Sequence, residues 1–120
     1  MLFKLKSITK EKDFKEIARK GRIASSQEIT LKVLKSDIED NRFGIVISKK
    51  VSKKAIERNK LKRQIKEIIK LELKSLKNGH SILILVSPRM IGKEYNEIKE
   101  ILLKLFKKAK IEPYNFDWGL

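Results

Sequence analysis

A long helical period set between two short apolar runs constrains this chain more than any other feature. From Lys53 to Lys77, Leu61, Ile65, Ile68, Ile69, Leu73 and Leu76 keep helical spacing on one face, which predicts a long amphipathic helix that Asn78-Gly79 can end. Arg42 to Ser48 reads as a well-buried strand before it. Ile82 to Val86, bounded by Gly79 and Pro88, reads as a buried strand after it. Strand, helix and strand in this order make a β-α-β unit, so the fold must contain a sheet with a helix laid on it.

The remaining periodicities complete the layout. Thr9 to Lys20, with Thr9 in capping position and Phe14, Ile17 and Ala18 at i, i+3 and i+4, predicts a short amphipathic helix that Gly21 stops. From Glu28 the period switches to two, Ile29, Leu31 and Val33 alternating with Thr30 and Lys32, as in a half-buried strand. A shorter strand precedes it near Arg22 to Ser25. The polar cluster Ser36 to Asn41 reads as a hairpin connection. Glu94 to Lys110 carries the clearest helical stripe, formed by Ile98, Ile101, Leu102, Leu105, Phe106 and Ala109. The predicted order is α-β-β-β-α-β-α, a two-layer α/β fold. No repeat or linker divides the chain, so residues 1–112 are read as one domain and 113–120 as a tail. There Tyr114, Phe116 and Trp118 either dock back or face a partner.

Composition limits the function. Thirty Lys and Arg against fifteen Asp and Glu leave a net charge of +15 in 120 residues, a self-repelling surface that calls for a polyanion. Charge alone fits RNA, DNA or a membrane face. The absence of Cys removes disulfides, thiolate catalysis and Cys-based metal sites. The longest strongly apolar run, Ile82 to Val86, is far short of the roughly 20 residues that span a bilayer. The basic start Met1 to Lys6 is followed by no apolar stretch of the secretory kind. The chain reads as cytoplasmic.

The charge is concentrated. Lys49 to Lys66 holds nine basic residues, Lys49, Lys50, Lys53, Lys54, Arg58, Lys60, Lys62, Arg63 and Lys66, against the single Glu57, a net +8. A solvated helix surface is the ordinary reading of such a run. Two details favour a polyanion site. Arg58, Lys62, Lys66, Lys70 and Lys74 follow one another at i, i+4, where like charges destabilise a helix and a structural helix would intersperse Glu. Lys49, Lys50, Lys53 and Lys54 crowd the turn entering the helix, where the dipole already favours anions. Asn59 lies in this field and can donate to and accept from phosphate, ribose or base.

These residues carry a resemblance. Ile47-Ser48-Lys49-Lys50 followed by Ala55-Ile56-Glu57-Arg58-Asn59-Lys60-Leu61-Lys62-Arg63 resembles the signature of the bacterial ribonuclease P protein, in which a strand and Ser-Lys-Lys lead into an Arg-Asn-Arg motif. Lys60 stands where the family usually has Arg, so a point charge replaces a bidentate fork. The resemblance extends back to Asp13-Phe14 and Gly21 and covers about residues 7 to 110. It implies a fold like the second domain of ribosomal protein S5, with a left-handed crossover joining two parallel strands through the basic helix, although right-handed connections are the rule.

The resemblance also implies roles. The basic helix would clamp ribonuclease P RNA, and a cleft between the first helix and the sheet would hold the single-stranded 5′ leader of precursor tRNA. Phe14 matches a leader-stacking aromatic, and stacking holds single strands without reading their sequence; core packing with Ile17 is the alternative. Two further aromatics of that cleft are replaced by Ala18 and Lys32. Lys32 could supply charge instead, or Tyr95 or the tail could compensate. Arg89 lies near a usually basic position.

The chain lacks the means of protein-only phosphodiester cleavage, which needs a metal-binding carboxylate cluster or paired general acid and base. His80, the only histidine, follows Gly79 at a turn, and Asp37, Glu39 and Asp40 lack a calcium-loop spacing. The resemblance accordingly implies a catalytic RNA using Mg2+ bound mainly by RNA and substrate, and no catalytic residue in the protein. A ribosomal or ribosome-assembly protein is the leading rival reading. A DNA-binding regulator is weaker, since a strand and not a second helix enters the basic helix.

Overall fold

The structure, a computed structural model, describes residues 6–35, 41–72 and 79–109. Its elements are β1 (Lys6–Ser7), α1 (Glu11–Lys20), β2 (Arg22–Ser25), β3 (Ile29–Lys35), β4 (Arg42–Val46), α2 (Ala55–Glu72), β5 (His80–Val86), a 3-10 turn (Pro88–Met90) and α3 (Tyr95–Lys108). Apart from the two-residue β1 and the 3-10 turn, this is the predicted order. The strands form one sheet in the order β1-β4-β5-β3-β2, with β4 parallel to β5 and to β1, and β3 antiparallel to β5 and to β2.

The sheet separates two apolar layers. Ile29, Leu31, Val33, Phe43, Ile82 and Ile84 point to one face, where Leu61, Ile65, Ile68 and Ile69 of α2 and Ile98, Leu102, Leu105 and Phe106 of α3 close the main core. The second layer is thinner: Ile8, Ile17 and Leu83 are buried there with Phe14, Leu34 and Leu85 against them. The strict alternation of β3 follows from the inequality of the two layers: Ile29, Leu31 and Val33 are buried in the main core, while Thr30, Lys32 and Leu34 on the thinner side stay partly exposed. Leu73 and Leu76, read as part of the α2 stripe, lie outside the described residues, as does the aromatic tail.

Two expectations are corrected. Ser36 to Asn41 does not close a hairpin, because β5 sits between β3 and β4; local polarity marks a reversal of the chain but not the strand it will pair with. Asn41 instead is buried, and its Oδ1 accepts the backbone N–H of His80 at 3.0 Å, tying the starts of the two parallel strands. The cap of α1 is Lys10, not Thr9, and it offers no side-chain hydrogen bond. Gly21 does end α1, but by close approach: a Cβ would lie 2.6 Å from the Ile17 carbonyl oxygen and 3.2 Å from the Val33 nitrogen.

Candidate nucleic-acid interface

The turn from β4 into α2 is organised around Ser52. Its Oγ accepts the backbone N–H of Lys54 (3.1 Å) and donates to Glu57 Oε1 (2.7 Å), while its carbonyl accepts from Arg58 Nη1 (2.7 Å). Val51 is buried beneath the turn and donates its N–H to the Ser48 carbonyl. The apolar plug and the serine fix a loop whose remaining side chains, Lys49, Lys50, Lys53 and Lys54, are exposed. Glu57, the one acid in the basic run, is thereby committed to Ser52.

On α2 itself Asn59, Lys60, Lys62, Arg63, Lys66 and Lys70 are exposed. They form a cationic surface backed by the buried Leu61, Ile65, Ile68 and Ile69. Arg58 differs from the rest of its row: it is half-buried and spends at least one N–H on the Ser52 carbonyl. Sequence spacing could not separate this anchored arginine from the exposed lysines that follow it. Ile56, 84% exposed in the first turn of α2, also stands amid the charge.

Strand register defines the α1 face of the sheet. Ile23, Lys32, Leu83 and Gly44 lie opposite one another in a row across β2, β3, β5 and β4. Helix α1 lies over this row, with Phe14 against Gly44, Ile17 in the cluster with Leu83, and the Ala18 carbonyl accepting from Lys32 Nζ at 3.0 Å. On one side the row of Arg42, Ser81 and Leu34 anchors the helix: Arg42 donates to Asp13 Oδ2 (3.2 Å) and to Ser81 Oγ (2.9 Å). The row on the other side, Ser25, Thr30, Leu85 and Val46, is at least partly exposed throughout. It forms a shallow floor beside α1, apolar at Leu85 and Val46 and polar at Thr30 and Ser25. Half-buried Phe14 stands over Gly44, in the row next to it.

The two predicted surfaces meet. A small groove of about 100 Å³ is lined by Ser7, Ile8, Phe14, Gly44, Lys62 and Lys66, together with Phe43 and Ile45. It exists because β1 pairs only with Arg42 and Phe43, with one further bond from the Ile8 N–H to the Phe43 carbonyl. Past Phe43, no strand among the described residues pairs with the outer edge of β4. The aromatic of α1 and the cations of α2 therefore border one site, although their helices lie on opposite faces of the sheet.

Other predicted residues are placed elsewhere. Lys60 lines a separate groove of about 300 Å³ with Glu57, Met90, Gly92 and Lys93. Arg89 is exposed, and its Nη1 donates to Gln27 Oε1 at 2.6 Å. Tyr95 packs on the main core, across the sheet from α1, so it does not compensate for the missing aromatics. Ala18 is exposed and contributes its carbonyl, not its methyl group. Sequence reading missed Asp13, Arg42, Gly44, Leu85 and Val46 as parts of the site; strand pairing would have revealed them, but no local pattern does. Among the described residues no three His, Asp or Glu side chains converge as ligands for a metal ion, and no helix is long and apolar enough to cross a membrane.

Comparison with known proteins then decides the family. The Ribonuclease P family profile matches residues 2–110. The chain is 38% identical over 105 residues to the ribonuclease P protein component of Clostridium botulinum strain 657, covering 87% of this chain and 94% of that one. The chain belongs to the ribonuclease P protein family. It is also 36% identical over 110 residues to the corresponding protein of Clostridium acetobutylicum, covering 90% and 92% of the two chains. The structure of the Staphylococcus aureus RNase P protein matches with a TM-score of 0.83 at 27% identity, over 91% of this chain and 99% of that one. The Thermotoga maritima RNase P protein matches with a TM-score of 0.77 at 25% identity, over 86% and 96%. The expected mixed α/β fold is thus the fold of ribonuclease P proteins. As one of them, the chain is a subunit of the ribonucleoprotein that processes tRNA 5′ ends, with an RNA partner.

Proposed function

We propose that this ribonuclease P protein clamps its RNA subunit through the Ser52-centred turn and the exposed face of α2, and holds the single-stranded 5′ leader of precursor tRNA beside α1. Lys49, Lys50, Lys53, Lys54, Asn59, Lys60, Lys62, Arg63 and Lys66 meet phosphate and ribose; Arg58 contributes mainly by holding the turn. In the cleft a leader base stacks on Phe14 while neighbouring phosphates reach Lys62 and Lys66, the combination of aromatic platform and cationic groove that suits single strands of any sequence. The observation that carries this reading is the shared groove: Phe14, Lys62 and Lys66 line one site at the outer edge of β4.

On this reading Mg2+ is held mainly by the RNA and the substrate; among the described residues no three His, Asp or Glu side chains converge as ligands for it. The protein helps by neutralising phosphates whose mutual repulsion otherwise opposes assembly and ion binding. The work is cytoplasmic, which the Cys-free composition suits. Single-turnover cleavage of precursor tRNA by ribonuclease P RNA, with and without the chain at limiting Mg2+, tests the proposal. The chain should lower the Mg2+ concentration at half-maximal rate; an unchanged Mg2+ profile would refute it.

A further inference from the structure

Helix α1 is poorly held by apolar contact. Of its ten residues only Ile17 is fully buried, so apolar burial contributes little to holding it on the sheet. Polar fixings stand at both of its ends. In its first turn Asp13 Oδ2 lies 3.2 Å from Arg42 Nη1, with side-chain exposures of only 27% and 20%. The same guanidinium is held by Ser81 Oγ at 2.9 Å, so a planar fork spans helix and sheet, a geometry that a flexible ammonium would not reproduce. In the last turn Lys32 Nζ donates to the Ala18 carbonyl at 3.0 Å. A cation on a last-turn carbonyl both satisfies a group the helix leaves open and faces the negative end of its dipole. Phe14 follows Asp13 directly, one residue from the first fixing.

We propose that Asp13, Arg42 and Lys32 are positioning residues for the leader. They fix α1 across the row Gly44, Leu83 and Lys32, which sets the Phe14 ring over Gly44, beside the floor made by Thr30, Leu85 and Val46. Lys32 acts as a cap on α1 and not as a phosphate contact. At position 32 stacking area is given up for a bond that holds the remaining aromatic in place. This inference rests on the leader-binding reading of the cleft.

The test uses the holoenzyme reconstituted from the full chain and a ribonuclease P RNA. The quantity read is the ratio of affinities for precursor tRNA with a leader of several nucleotides and for the same tRNA without one. Asp13→Arg and Arg42→Asp should each lower that ratio by about tenfold, the equivalent of one charge-assisted hydrogen bond, and the double swap should restore it. Lys32→Met should lower it as well, Lys32→Arg should keep it, and neither should change the salt dependence of leader binding. Unchanged ratios in the single variants, or a double swap that fails to restore the ratio, would overturn the proposal. So would a salt slope reduced by about one in Lys32→Met, the mark of a lost phosphate contact. Should a reversed-charge variant fail to fold, the two Lys32 variants decide. A wild-type chain with no leader dependence overturns the leader reading itself, a result separable from failure of the positioning variants alone.

Discussion

The ring of Phe14 stands against Gly44 so closely that a methyl group at position 44 would lie 2.9 Å from Phe14 Cε1 and 2.8 Å from Leu83 Cδ2. Gly44 is thus the seat of the aromatic, and the contact joins the first helix to the parallel pair of strands that frames the basic helix.

Gly44→Ala should therefore displace the ring and cost roughly 1–3 kcal/mol, as overpacking in a tight site does. Thermal unfolding would show the loss. In the reconstituted holoenzyme the same variant should weaken binding of leader-bearing precursor tRNA more than binding of leaderless tRNA.

Arg58 and Lys62 lie one turn apart on α2 but should behave differently. Arg58→Ala removes the donor to the Ser52 carbonyl and should lower stability by about 1–3 kcal/mol, visible in a denaturant titration. Lys62→Ala, alone or with Asn59→Ala, should leave the unfolding midpoint within experimental error. It should weaken RNA-subunit binding and reduce the salt slope by about one per lysine.

Ser52→Ala would release the Lys54 N–H and the Glu57 carboxylate together. A loss of about 1 kcal/mol is expected from such a turn-forming serine. Freed Glu57 would also stand among the exposed cations, so RNA affinity should fall although no basic residue has been changed. Full RNA affinity in a folded Ser52→Ala chain would show that the turn does not organise the basic surface.

Asn41→Ala leaves the His80 backbone N–H without its 3.0 Å acceptor. A part-buried N–H deprived of its acceptor costs about 1 kcal/mol, so a urea titration should show lower stability.

The sequence was most informative where burial is one-sided and periodic. Ile29, Leu31 and Val33 of β3 and Ile98, Leu102, Leu105 and Phe106 of α3 are buried as their spacing requires. The basic surface was also legible, since charge on a helix backed by an apolar stripe can only face outward. The relationships that assemble the cleft were not. Arg42 looks like a polar strand end, and its partner Asp13 is 29 residues away in the chain. Ala18 fits a helical apolar spacing yet is exposed, because its carbonyl and not its methyl group meets the sheet. The hairpin expected at Ser36 to Asn41 failed for the same reason, as β5, which comes later in the chain, takes the place between β3 and β4. The meeting of Phe14 with Lys62 and Lys66 depends on where the two-residue β1 stops, which no local pattern encodes.

The proposed role of Phe14 is to hold the leader at the edge of the groove shared with Lys62 and Lys66. Its most direct test is the affinity of the reconstituted holoenzyme for precursor tRNA with and without a leader, for the wild-type chain and for Phe14→Ala. The wild-type chain should bind the leader-bearing substrate more tightly, and Phe14→Ala should lose about 1–3 kcal/mol of that preference, the contribution of one stacked base, with RNA-subunit binding retained. A preference that survives intact in a folded Phe14→Ala chain would contradict it.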